Sequence, residues 1–165
     1  MPNIVLSRID ERLIHGQVTN QWARQLAVNA NVVAYDMAAG NEVVKMSLHL
    51  AAPEGIKVAI KTVKGAIQQL NDPRAAALSI FVVVNCPEDA YEIVKNVPGI
   101  PYLNVGNFGR VNKDKMNRKT YADSLYANDE EIEVFHKIID TGIDCEVRML
   151  SSDPKVSLES VIGKR

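Results

Sequence analysis

The chain is predicted to fold as an open, mostly parallel α/β sheet with helices on both faces, and three observations carry that expectation. Short runs rich in valine and isoleucine recur along the 165 residues, each of a length suited to a buried strand. Between them lie segments whose apolar residues repeat at helical spacing. Buried strands separated by helices give a parallel sheet covered on both sides. Composition agrees: with 47% hydrophobic residues, residues 1–165 are expected to bury one core as a single domain, without repeat or linker.

The elements follow in order. Residues 4–7 read as a short buried strand, and in residues 17–26 Val18, Trp22 and Leu26 share a helical face. A second strand is expected at 31–35. It is followed by a helix over 42–50, where Val43, Met46 and Leu50 share a face. Strand 57–60 precedes a helix carrying Val63, Ala66, Ile67 and Leu70, which Asn71-Asp-Pro73 should stop. The apolar runs 80–84 and 102–105 are further strands, with a weaker one near 121–126. The helix over 129–140 places Ile132, Phe135, Ile138 and Ile139 together, with Asn128 or Asp129 as cap and Gly142 beyond its end. Strand 146–150 follows, and Asp153-Pro154 reads as an N-cap with proline at the first helical position. The longest irregular stretch is 106–118.

The chemistry concentrates after the first strand, in Arg8-Ile-Asp-Glu-Arg-Leu-Ile-His15-Gly-Gln-Val18. Two guanidiniums, a carboxylate and an imidazole precede a helix start, where unpaired N–H groups and the positive end of the dipole favour an anion. Gly16 removes a side chain that would crowd a phosphate donor. Asp10 suits the role of orienting carboxylate, accepting one ring N–H of His15 so that the other nitrogen presents its lone pair. Arg8 and Arg12 suit the stabilisation of charge on a transferring phosphoryl group. Gln17 and Thr19 are placed to donate to phosphate, to cap the helix or to contact a partner. The competing reading is a surface loop with ordinary salt bridges.

At the carboxyl ends of parallel strands, two further loops are expected to meet this one. Asp36 leaves the second strand, and Gly106-Asn-Phe-Gly109-Arg110 leaves the strand containing Leu103 and Val105. Gly106 and Gly109 would admit an anion to backbone N–H groups, Arg110 would contact phosphate or partner, and Phe108 is either a docking residue or a packed anchor.

The first-loop run resembles the signature of the mannose/sorbose-family IIB component of the bacterial phosphoenolpyruvate-dependent sugar phosphotransferase system (PTS). The likeness continues through Trp22, through Val-Val-Lys-Met-Ser-Leu-His-Leu-Ala-Ala-Pro53, through Asn104-Val-Gly-Asn-Phe-Gly109, and through Cys145-Glu-Val-Arg-Met-Leu to Asp153-Pro154-Lys155. It thus covers essentially the whole chain. The segment Asp36-Met-Ala-Ala-Gly-Asn-Glu42 departs from it in being less acidic than in relatives. The resemblance implies that His15 carries phosphate on Nδ1, with Arg8, Asp10 and Arg12 as supporting residues. It further implies a phosphate donor in a IIA domain and delivery to a sugar at a membrane IIC–IID complex. No cofactor or metal is called for. Mannose, fructose, sorbose and galactosamine-type sugars are all admissible, and oligomeric state stays open.

Other classes are less well served. A formal charge of −1 and the absence of a long basic run argue against nucleic-acid or acidic-membrane binding. No stretch approaches the roughly 20 apolar residues that span a bilayer, so a cytoplasmic location with membrane contact only through a partner is expected. Cys86 and Cys145 suit a reducing compartment. Cys86 stands at a strand end and is the alternative phosphate carrier, but no arginine or histidine accompanies it locally. His49 and His136 sit within helical periodicity, without acids arranged for catalysis. Two alternatives remain. A phosphohistidine-type phosphatase normally has arginine directly before His-Gly, where this chain has Ile14, and a non-catalytic anion-binding module would use Arg8, Arg12 and the 106–110 loop only to hold a ligand.

Overall fold

The computed structural model describes residues 3–110 and 117–164, with the side chain of Gln17 outside that description. Nine strands are found among these residues: β1 (Ile4–Asp10), β2 (Ala30–Ala34), β3 (Lys57–Lys61), β4 (Ile80–Val84), β5 (Tyr102–Asn107), β6 (Lys119–Ala122), β7 (Leu125–Ala127), β8 (Asp144–Val147) and β9 (Val156–Ser157). Seven of them form one sheet in the order β3-β2-β4-β1-β5-β8-β9, parallel throughout except for β9 against β8. β6 and β7 make a small antiparallel ribbon, so the weak strand expected near 121–126 is a hairpin. The architecture is the open α/β fold.

Helices cover both faces. α1 (Gly16–Gln25), α2 (Asp36–Ala39) and α3 (Glu42–Ala51) lie on one, closing a core of Leu6, Trp22, Val33, Leu48, Phe81 and Val83. α4 (Val63–Leu70), α5 (Pro87–Asn96), α6 (Asp129–Asp140) and α7 (Leu158–Ile162) lie on the other, over Ile9, Val82, Val84, Leu103, Val105 and Phe135. The alternation of side chains along each strand divides the two cores. β1 is central. The chain leaves it for β2 on one side and later passes from β4 to β5 on the other, so the loops at the carboxyl end of β1 open into a switch-point crevice.

Several boundaries follow local chemistry. Asn128 accepts the N–H of Glu131, whose carboxylate accepts the N–H of Asn128, which makes Asn128 the cap of α6. The Asn71-Asp-Pro73 stop is present, and Pro73–Ala77 continues as a 3₁₀ turn. Asp153-Pro154 does not begin a helix. The Asp153 carboxylate instead accepts the N–H of Leu150, while α7 starts after Ser157. α5 escaped the sequence reading because only Ala90 and Ile93, besides Pro87, are buried along it.

α3 lies where expected, but its apolar face points outward. Val43, Met46 and Leu50 are 75%, 66% and 81% exposed. The helix carries two overlapping apolar stripes, and the one packed on the sheet is Val44, Leu48 and Ala51. Of the expected irregular stretch, 106–107 belong to β5 and 111–116 lie outside the described residues.

Candidate active site

β1 runs three residues further than its apolar run suggests, and this extension builds the site. Arg8 and Asp10 occupy alternate strand positions and point to the α1 side of the sheet, with Ile9 turned to the opposite core. Arg8 is 1% exposed and Asp10 fully buried. Burial lowers the Arg8 pKa, against the opposing pull of Asp10 and, less strongly, Glu146. The guanidinium donates Nε and Nη2 to Asp10 Oδ2 at 3.2 and 3.1 Å, and Nη1 to Asn104 Oδ1 at 2.6 Å and to the Arg148 carbonyl at 3.2 Å. Asn104 is the register partner of Arg8 on β5, which puts the two side chains on one face.

Gly106, also on β5, makes the space. A Cβ there would stand 2.0 Å from Arg8 Cζ. Trp22 of α1 closes the pocket from above, its ring 5.8 Å from Arg8 Cζ and 4.9 Å from Arg148 Cζ, with Nε1 donating to the Met149 carbonyl at 3.0 Å.

From this base the chain turns sharply. Asp10 Oδ1 accepts the N–H of Arg12, Leu13 adopts φ 60°, and Glu11 donates its N–H to the Asn107 carbonyl while its own carbonyl accepts from Asn85 Nδ2. Leu13 and Ile14 are buried, so the turn is anchored in the core. His15 follows, with Nε2 at 2.7 Å from Asp10 Oδ2. Against an ionised carboxylate Nε2 carries the proton, leaving the Nδ1 lone pair available. The side chain keeps 18% exposure.

His15 is also the N-cap residue of α1, yet its ring is engaged by Asp10 and does not cap the helix. No acidic residue sits in the first turn of α1, and its N–H groups form a positive end beside the ring. The His15 N–H donates to Thr19 Oγ1 at 3.1 Å, which fixes the helix start and uses Thr19 there. Gly16 has φ 48° and open space at its Cβ position, so it serves the backbone turn as well as access. Arg12 is exposed, with its backbone N–H on Asp10 Oδ1.

Arg8, Asp36, Gly106 and Gly109, expected at this edge, are placed otherwise, and Phe108 takes the second of its two expected roles. Arg8 is walled in by Asp10, Asn104 and Trp22, so it stands behind Asp10 and does not open onto the surface beside His15. Asp36 stands at the end of β2, beyond β4, where its carboxylate accepts the Val63 N–H at 2.8 Å and ties α2 to α4. Gly106 faces a guanidinium and not an anion. Phe108 is a packed anchor, edge-on to Phe135 at 6.2 Å and under Arg118 at 4.9 Å. Gly109, at φ 82°, lies against the Tyr126 carbonyl, where a Cβ would stand 1.8 Å away, and Arg110 is exposed. Gln17 lies outside the described side chains.

Sequence reasoning assigned no role to Asn104, Asn85 or Arg148. A glycine within a strand, as in Asn104-Val-Gly106, is the signal that marks a close approach of another group.

The two cysteines are poorly suited to nucleophilic work. Burial, with Asp89 adding, raises the Cys86 thiol far above its ordinary range, and burial pushes Cys145 up to about 12. Among the described residues no helix is long and apolar enough to cross a membrane.

Comparison with known proteins converges on one family. The sequence model described as PTS system sorbose subfamily IIB component matches residues 4–165. A probable phosphotransferase enzyme IIB component of Streptococcus pyogenes serotype M6 is 39% identical over 94% of this chain and 97% of its own length. The N-acetylgalactosamine-specific phosphotransferase enzyme IIB component 2 of Escherichia coli K12 is 37% identical over 96% and 98%. The mannose-specific EIIAB component of the same strain is 33% identical over 98% of this chain, which spans 49% of that longer protein. The crystal structure of the IIBSor domain of the Klebsiella pneumoniae sorbose permease superposes with TM-score 0.89 at 28% identity, covering 98% of this chain and 96% of that one. This chain belongs to the sorbose-subfamily IIB components of the sugar phosphotransferase system.

Proposed function

We propose that the chain is a phosphocarrier that receives phosphate on His15 from a IIA domain and passes it to a sugar at a membrane IIC–IID complex. The observation that carries this reading is the 2.7 Å contact between Asp10 Oδ2 and His15 Nε2, beside an uncapped helix N-terminus. Asp10 holds the Nε2 proton, so the Nδ1 lone pair attacks phosphorus. The new N–P bond forms as the donor's N–P bond breaks, and the donor imidazole keeps the electron pair. The N–H groups of α1 and the Arg12 guanidinium stabilise charge on the equatorial oxygens. In the second half the sugar hydroxyl oxygen forms an O–P bond as the P–N bond breaks, its proton passing to a base on the membrane partner or to solvent, and Nδ1 keeps the electron pair so that imidazole leaves as a neutral ring with Nε2 still protonated. The EIIAB relative, which names A and B parts in one chain, supports IIA as donor. Relatives are named for mannose, N-acetylgalactosamine and sorbose, so the family serves more than one sugar. In this reading residues 1–165 act as one IIB domain at the cytoplasmic side of the membrane.

Incubation with phosphoenolpyruvate, the two general phosphotransferase proteins and a IIA partner should label the protein with one acid-labile phosphate. Turnover of small phosphate esters without label would favour the phosphatase, and reversible phosphate binding without transfer the anion-binding module. Arg12→Ala is expected to slow transfer by the equivalent of about 2–4 kcal/mol, the cost of removing one anion-stabilising donor. An unchanged rate in a quench-flow assay would make Arg12 a bystander. Cys86→Ser should leave the label and its rate unchanged, and loss of label there would move the phosphate to the thiol.

A further inference from the structure

Asn104 is fully buried, and both ends of its carboxamide are used. Oδ1 accepts from Arg8 Nη1 at 2.6 Å and Nδ2 donates to the Arg148 carbonyl at 3.0 Å. Arg8 Nη1 donates to the same carbonyl at 3.2 Å, which closes a three-membered ring of hydrogen bonds across β1, β5 and the end of β8. The opposite edge of the guanidinium is spent on Asp10 Oδ2, the oxygen that also meets His15 Nε2. A continuous path thus runs from the Arg148 carbonyl through Asn104, Arg8 and Asp10 to His15.

The charges along this path are balanced in pairs. Arg8 is hydrogen-bonded to one carboxylate, Asp10, and every other acceptor on it is neutral. Glu146 of β8, which also acts on Arg8 through space, is paired with Arg148 at 3.0 Å. The remaining charged groups of the His15 loop are the half-buried Glu11 and the exposed Arg12, and Asn85 and Asn107 flank that loop from β4 and β5 as neutral side chains. A carboxylate that orients an imidazole also favours imidazolium, which is not a nucleophile. A guanidinium on the same oxygen offsets that field and keeps the oxygen fixed as an acceptor.

We propose that Asn104 is a positioning residue for phosphate transfer: its neutral carboxamide fixes Arg8 so that the guanidinium stays matched to Asp10, which presents His15 neutral with Nδ1 free. The inference rests on His15 being the phosphate carrier. Position 104 needs an acceptor toward Arg8, a donor toward Arg148 and no charge, and asparagine meets all three conditions. Gly106 complements it, because any larger residue would displace the guanidinium that Asn104 holds.

The test is Asn104→Asp, which keeps shape and acceptor but adds a carboxylate on Arg8, with Asn104→Ser as a second variant whose shorter side chain draws the acceptor back from Arg8. His15 is followed in each by ¹⁵N NMR titration, which needs no phosphate, and by the pH profile of transfer from phosphorylated IIA. In Asn104→Asp the His15 midpoint should rise, and transfer near neutral pH should fall and recover at higher pH. In Asn104→Ser the Nε2–H tautomer should lose its dominance. Unchanged His15 titration and tautomer in both variants would overturn the proposal, whatever their melting temperatures. Failure of the carrier reading is distinguishable, because it appears in the wild type as phosphate located away from His15.

Discussion

Replacing His15 by alanine is expected to abolish phosphate capture while the fold survives. Among the described residues the side chain makes one hydrogen bond, from Nε2 to Asp10 Oδ2. Asp10 keeps both Arg8 hydrogen bonds and the Arg12 N–H when the ring is gone, so no buried charge is stranded. A loss of about 1 kcal/mol, the usual net worth of one hydrogen bond, is the expected cost to stability. Transfer should instead drop to background, because no other imidazole is among the described partners of Asp10. Full labelling of His15→Ala by phosphorylated IIA would remove the residue from the mechanism.

Arg8→Met should be the most damaging change for stability. The substitution leaves the Asp10 carboxylate fully buried without its cation, and breaking a buried ion pair from one side costs about 3–5 kcal/mol. Asn104 Oδ1 loses its donor as well, and the Trp22 ring loses one of two guanidiniums. Part of the Asp10 charge will be met by protonation of His15, which converts the nucleophile to imidazolium. Urea denaturation should therefore show a lower midpoint, and transfer at neutral pH should fall well over tenfold. A stability change under about 1 kcal/mol would mean that the buried pair is not the support of the site.

Most of the sheet was legible because buried parallel strands leave a continuous apolar record. Residues 80–84 coincide with β4, and 57–60 and 102–105 start where β3 and β5 do. β1 was cut short for the same reason. Arg8 and Asp10 look like loop residues until β5 supplies a register partner and an empty glycine position to receive them, and neither fact is local in sequence. The outward face of α3 had a comparable cause, since two apolar stripes overlap on one helix and only tertiary packing selects between them.

The site divides in a similar way. The pairing of Asp10 with His15 was legible from residue types five apart, whereas the different placement of the two arginines was not. Arg12 is exposed and Arg8 is enclosed, and that difference comes from strand alternation and from Trp22 arriving on α1. Asp36 was drawn toward the site by a rule about strand ends, but β4 lies between β2 and β1, so the neighbouring loop is the one carrying Asn85.

The most direct measurement is the position of the phosphate itself. Protein labelled from phosphoenolpyruvate through the general phosphotransferase proteins and IIA should be mapped by mass spectrometry under basic conditions, then examined by ¹⁵N and ³¹P NMR. One phosphate on His15, bonded to Nδ1 with Nε2 still protonated, is the expected result. Phosphate on Nε2, on Cys86 or on another histidine would contradict the role assigned to the Asp10–His15 contact.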